Sequence, residues 1–154
     1  MKKRTSSNLF RQSSDIGGVE TAAKIMNLVK VDMASDILKD VSNIDEDLAL
    51  EIQDNMFTFN TLAVVDNRAV QVILRNVNSE TLMRALKGAD EEAREKFLRN
   101  MSQRARIRFL DDMEALGPMR SADAEMAQKE ITRAARKLAD SGDIALAINR
   151  DEFI

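Results

Sequence analysis

From Val19 onward, apolar residues return every three or four positions in short bursts separated by polar capping residues, the signature of amphipathic helices a few turns long. In VETAAKIMNLVK, the side chains of Val19, Ala22, Ala23, Met26 and Val29 fall on one face, with Ile25 and Leu28 beside it. Two shorter patterns follow, MASDILKDV and DEDLALEIQDNM. Three helices in about 35 residues bury less surface than an independently stable domain needs. Such a unit stacks on a neighbour as helical repeats do, so part of its apolar surface is expected to be completed by another chain or domain.

The remaining chain repeats this grammar. Met56-Phe57-Thr58-Phe59 places two phenylalanines one residue apart, which suits either core aromatics at a helix junction or a hinge whose bulky side chains dock in alternative pockets. Asp66 is expected to cap NRAVQVILRNV, and Ser79 to cap ETLMRALKG, with Gly88 closing the latter. Asp90, Glu91 and Glu92 put negative charge at the positive end of the next helix. Gly117-Pro118 ends QRARIRFLDDMEAL, and a long helix is expected from Ser121 to about Ser141, where Gly142 stops it. Only IALAI alternates weakly as a strand would, so the fold class is all-α, built of short stacked helices. Residues 1–16 are polar and basic without a period and read as a disordered arm. Gly17 and Gly18 end it, free enough in backbone for a loose linker or a hinge.

Composition narrows the chemistry. The 154 residues contain no His, Cys, Trp or Tyr, which removes imidazole bases, thiol nucleophiles, disulfides and ordinary zinc sites. No acidic cluster has the spacing of a calcium loop. The expectation is a non-enzyme without cofactor, metal site or small-molecule substrate. A net charge of −3 argues against nucleic acid as the partner, because phosphate neutralisation needs a basic surface. No apolar run approaches the roughly 20 residues of a membrane span, and the opening residues lack the apolar stretch of a signal peptide, so a cytoplasmic location is expected.

One helix is charged against its own stability. Arg104, Arg106 and Arg108 sit toward the N-terminal end of the Gln103–Leu116 segment, and Asp111, Asp112 and Glu114 toward the other. The macrodipole favours the opposite order by roughly 0.3 to 1 kcal/mol per charge. At about 100° per residue, Arg104, Arg108 and Asp111 fall within about 60° of one another and Asp112 about 40° beyond, while Ala105, Phe109, Met113 and Leu116 form the expected buried face. Arg108 could pair with Asp111 or Asp112, leaving an ordinary solvated face. Alternatively the stripe is a docking ridge for a partner of complementary charge, suited to fast and reversible contact.

In order along the chain, GGVETAAKIMNL, DNMFTF, VDNRAVQVILRNV, ALKGADEEAREKFLRNMSQRA, the Asp111-Asp112 pair and GPMR resemble the flagellar motor switch family FliG. The resemblance runs from Gly17 to the last residue, and nothing in it resembles that family's N-terminal or middle domain. It implies an armadillo-like three-helix unit over 19–55 behind an arm and Gly-Gly linker over 1–18. Beyond these lie a hinge at 56–59 and a six-helix torque-generating domain over 60–154. It implies hinge roles for Gly17, Gly18, Met56, Phe57, Thr58 and Phe59. Val19, Ala22, Ile25, Met26 and Val29 would supply a subunit-packing face, and Lys87, Arg104, Asp111, Asp112 and Arg120 would face the stator. The partners implied are the stator protein MotA, the switch protein FliM and neighbouring FliG subunits in a ring at the flagellar basal body, peripheral to the inner membrane. Torque generation and reversal of rotation in chemotaxis are the implied functions. The rival reading is a generic helical-repeat scaffold or regulatory domain, similar in architecture to the cytoplasmic domain of magnesium channels, whose acidic residues would bind a divalent cation.

Overall fold

The computed structural model describes residues 18–146, so the expected arm and Gly17 lie outside the described residues. Among the described residues every regular element is helical. They are α1 (Gly18–Leu28), α2 (Val31–Ile44), α3 (Glu46–Met56), a 3₁₀ segment (Phe59–Val64), α4 (Asn67–Asn76), α5 (Ser79–Lys87), α6 (Glu91–Arg99), α7 (Gln103–Ala115) and α8 (Ser121–Asp140). The chain separates into two compact units between Phe57 and Thr58.

In the first unit, α3 packs on both α1 and α2. Ala23, Met26, Ala34, Leu38 and Ile52 form its core, with Val19, Ala22 and Val29 partly buried against it. α2 is longer than its sequence pattern suggests, running two residues further at its start and three at its end, while Ile37, Leu38 and Val41 carry its packing in the first unit. Asp45 caps α3 by accepting from the Leu48 N–H at 3.1 Å. The Asn27 side-chain amide donates to the Met56 carbonyl at 3.4 Å, tying α1 to the end of α3. Ile25, Leu28, Val31, Met33 and Ile44 remain exposed, with Leu28 at 84% and Ile44 at 88%. A core dominated by alanine and single large residues is what so short a unit can enclose.

The second unit holds the six remaining helical segments around Leu62, Val65, Val70, Ile73, Leu86, Phe97 and Ile131, all fully buried. Phe59 is buried and stacks flat on Phe97, with ring centroids 5.4 Å apart. α5 lies along α8, and the Gln128 side chain donates to the Ala85 carbonyl at 3.0 Å. Asp66 caps α4 by accepting from the Arg68 N–H. The expected cap at Ser79 is displaced by one residue. Asn78 accepts from the Glu80 N–H at 2.8 Å in extended backbone geometry, and Ser79 is the first helical residue. Asn is as good an N-cap as Ser, and here it stands at the residue where the backbone is still extended.

Gly88 does follow α5, but its φ of −98° is open to any residue. What it needs is space, since a Cβ built there would lie 2.6 Å from the Ala124 Cβ on α8. Gly117 and Gly142, at φ +73° and +80°, are the left-handed positions that end α7 and α8. Gly88→Ala should therefore destabilise the chain by about 1–3 kcal/mol through overpacking. Glycine-to-alanine changes at unstrained sites work in the other direction, so a urea titration reading a lower midpoint checks the close approach.

Candidate functional site

α7 is attached to the second unit lightly. Ser102 caps it by accepting from the Ala105 N–H at 3.2 Å. Phe109 is the one buried side chain along it, Met113 and Leu116 are half-buried, and Ile107 and Leu110 are exposed. Ala105, expected on the buried face, is exposed, because it stands over an open groove and not over packed side chains. Two polar ties supplement Phe109. Arg106 reaches back to Glu95 on α6 at 3.3 Å, and the Lys87 ammonium at the end of α5 donates to the Gly117 carbonyl just past α7.

Arg104, Arg108, Asp111 and Asp112 are all exposed. Among the described residues none of the four has an ion-pair partner within 4.0 Å. The pairing of Arg108 with Asp111 or Asp112 that an ordinary solvated face would show is therefore absent. An arginine preceding its carboxylate at i,i+4 is the weaker orientation of such a pair, and each side chain keeps its water. Phe109 faces the body of the unit, Arg104 and Asp111 lie roughly 140–160° round the helix from it, and Arg108 and Asp112 stand between, at the edge of the groove. Positive and negative groups stand along about 12 Å of helix between Arg104 and Asp112.

Lys87 and Arg120 come together at the far end of this ridge. They line a shallow depression of about 410 Å³ with Met113 and Met119. Arg120 is exposed, whereas Lys87 is half-buried and bound to Gly117. Of the expected hinge residues, Thr58 bonds Thr61 at the start of the 3₁₀ segment, with hydroxyl oxygens 3.1 Å apart. Phe59 is a core aromatic of the second unit, while Phe57 is half-buried at the end of the first. Met26 of the packing face is buried in the first unit's own core, Val19, Ala22 and Val29 are partly buried there, and Ile25 is exposed.

Sequence reasoning missed the groove beneath α7. It measures about 690 Å³ and runs between the end of α4, the start of α5 and the inner edge of α7. Leu74, Val77, Leu82, Met83, Met101 and Phe109 line it, with Arg75, Arg108 and Asp112 also on its wall. The signal was faint. Met83 lies on α5 and Met101 in the turn between α6 and α7, and nothing in a linear pattern reports that two helices stand apart. The Arg106–Glu95 tie was equally invisible, since it joins different helices. Among the described residues no three carboxylates come together in a way that could hold a metal ion.

The chain is of the all-α class, two small helical units with a lightly held helix that exposes charges of both signs. The sequence profile of the FliG C-terminal domain matches residues 39–146. Flagellar motor switch protein FliG of Vibrio cholerae is 44% identical over all 154 residues, and that of Pseudomonas aeruginosa is 44% identical over 146. The alignments cover 44% and 43% of those proteins, so the chain spans less than half the length of these relatives. The solved structure of full-length FliG from Aquifex aeolicus superposes with a TM-score of 0.78 at 36% identity, covering 93% of this chain and 44% of that one. A FliG fragment from H. pylori superposes at 0.65 with 31% identity, covering 94% of this chain and 67% of that one. The chain belongs to the FliG C-terminal domain family. The all-α architecture, a three-helix unit followed by six helical segments, agrees with the expectation from sequence.

Because one aromatic ring does most of the anchoring, Phe109→Ala should cost about 3 kcal/mol. Amide exchange should quicken in α7 while α8 keeps its protection. Equal acceleration in both helices would show that α7 is not held separately.

Proposed function

We propose that this chain is the stator-facing part of a rotor component of the flagellar motor switch, and that the ridge on α7 passes torque. The uncompensated exposure of Arg104, Asp111 and Asp112 is the observation that carries this reading. Charges without ion-pair partners among the described residues keep their attraction for another surface. Screened over about 8 to 10 Å, they attract and release quickly. Oppositely charged residues on a cytoplasmic loop of MotA would meet them in succession, with Arg120 flanking. Lys87 stands behind the ridge, where its bond to Gly117 braces the end of α7.

Switching would turn on Met56-Phe57-Thr58-Phe59. Phe59 belongs to the second unit's core and Phe57 to the first unit, so rotation about the backbone between them would reorient the ridge without breaking either core. Gly17 and Gly18 would provide a second joint. The exposed apolar residues Ile25, Leu28, Val31, Met33 and Ile44 suit a face completed by a neighbouring rotor subunit or by FliM. Such a protein would work at the cytoplasmic side of the basal body, peripheral to the inner membrane. None of these steps asks for catalysis or a cofactor.

Asp111→Lys together with Asp112→Lys, placed in the full-length protein, should abolish or strongly slow swimming, and charge reversal in the stator loop should restore part of it. Unchanged swimming speed would overturn the electrostatic reading. The role of Lys87 separates cleanly. Lys87→Gln keeps a hydrogen-bond donor for the Gly117 carbonyl and should retain most motility, whereas Lys87→Met should not. Equal loss in both variants would assign Lys87 to direct contact through its charge.

A further inference from the structure

The groove under α7 has an apolar lining and two arginines, Arg75 and Arg108, that have no ion-pair partner among the described residues. An occupant that satisfies both features needs an apolar anchor next to carboxylates. The last eight residues of the sequence, AINRDEFI, have that composition, with Asp151 and Glu152 immediately before Phe153 and Ile154. We propose that residues 147–154, which lie outside the described residues, bind the groove of their own chain, Phe153 filling its apolar floor and Asp151 and Glu152 meeting Arg75 and Arg108.

The reach is adequate. Gly142, Asp143, Ile144 and Ala145 line a small depression against the first turn of α4, together with Asp66, Arg68 and Ala69. The chain therefore leaves the described structure beside Arg68. Arg75 is seven residues further along the same helix, hence on the same face and about 10 Å away. Eight extended residues span about 26 Å, enough to follow that face and enter the groove. Arg68, Arg75 and Arg108 stand along this route, with Asp66 and Asp143 where it begins and Asp112 at the groove, so the attraction for Asp151 and Glu152 is local to Arg75 and Arg108, and Arg150 is the cation of the segment. Occupancy would cover the inner edge of α7, including Arg108 and Asp112. This proposal stands on the groove and the segment alone, and does not depend on the rotor reading.

The test uses the complete chain labelled with ¹³C at the methionine methyls. Met83 and Met101 line the groove, whereas Met26, Met33 and Met56 lie in the first unit. Phe153→Ala should move the Met83 and Met101 resonances through loss of the nearby ring, and leave the first-unit methyls in place. A peptide of residues 147–154 added to that variant should move them back. The same peptide carrying Asp151→Lys and Glu152→Lys should bind at least tenfold more weakly. Arg75→Glu with Arg108→Glu should reproduce the shifts of Phe153→Ala in the otherwise natural chain. The proposal fails if Phe153→Ala leaves Met83 and Met101 unmoved, or if the lysine peptide binds as well as the natural one. It fails also if the resonances of the natural chain change on dilution, because the groove is then filled by the segment of a second copy.

Discussion

At the join between α5 and α8, a glycine faces an alanine across a gap that no further side-chain carbon can share. The two helices run together because small residues, Ala85 on one side and Ala124 and Ala127 on the other, let their backbones approach. Much of the second unit is referenced to that join. Arg94 donates to the Leu86 and Ala89 carbonyls at the end of α5, which locates α6. Lys87, one residue before the glycine, holds the carbonyl that follows α7. The long helix α8 thus sets the position of the ridge without touching it closely, through a chain of contacts that begins with the absence of one methyl group.

The charges of α7 run against the helix dipole, and among the described residues only Arg106, through Glu95, is offset by an ion pair. The total involved is small, on the order of a few kcal/mol at most for six surface charges. The packing of Phe97, Leu86 and Ile131 elsewhere in the unit outweighs it easily, since burial of each such side chain contributes about 1.5–3 kcal/mol. A well-packed body can therefore carry a helix whose surface is arranged for something other than its own stability.

Much of this was legible in the linear pattern, and the reasons are local. Caps such as Asp66, stops such as Gly117 and Gly142, and the apolar period of α1 are decided by residues within one or two turns, so the sequence displays them directly. The cap at Asn78 was off by one residue because two good capping residues are adjacent and only backbone geometry chooses between them. Gly88 is the C-cap of α5 as expected, but its need for space comes from Ala124, 36 positions away, and such spacing has no linear signature. Ala105 was placed inside on periodicity, yet a helix face is buried only where something is packed against it. The same blindness hid the groove, which exists because α7 is held at a few points instead of along its length.

That loose attachment has an evolutionary side. A helix that gives the core one aromatic ring leaves the identity of its outward charges almost unconstrained by folding. Substitutions at Arg104, Arg108, Asp111 or Asp112 therefore cost the stability of the chain little. Over evolution such charges can be exchanged, reversed or redistributed without loss of the fold, a freedom that Phe109 and the α5–α8 join do not share.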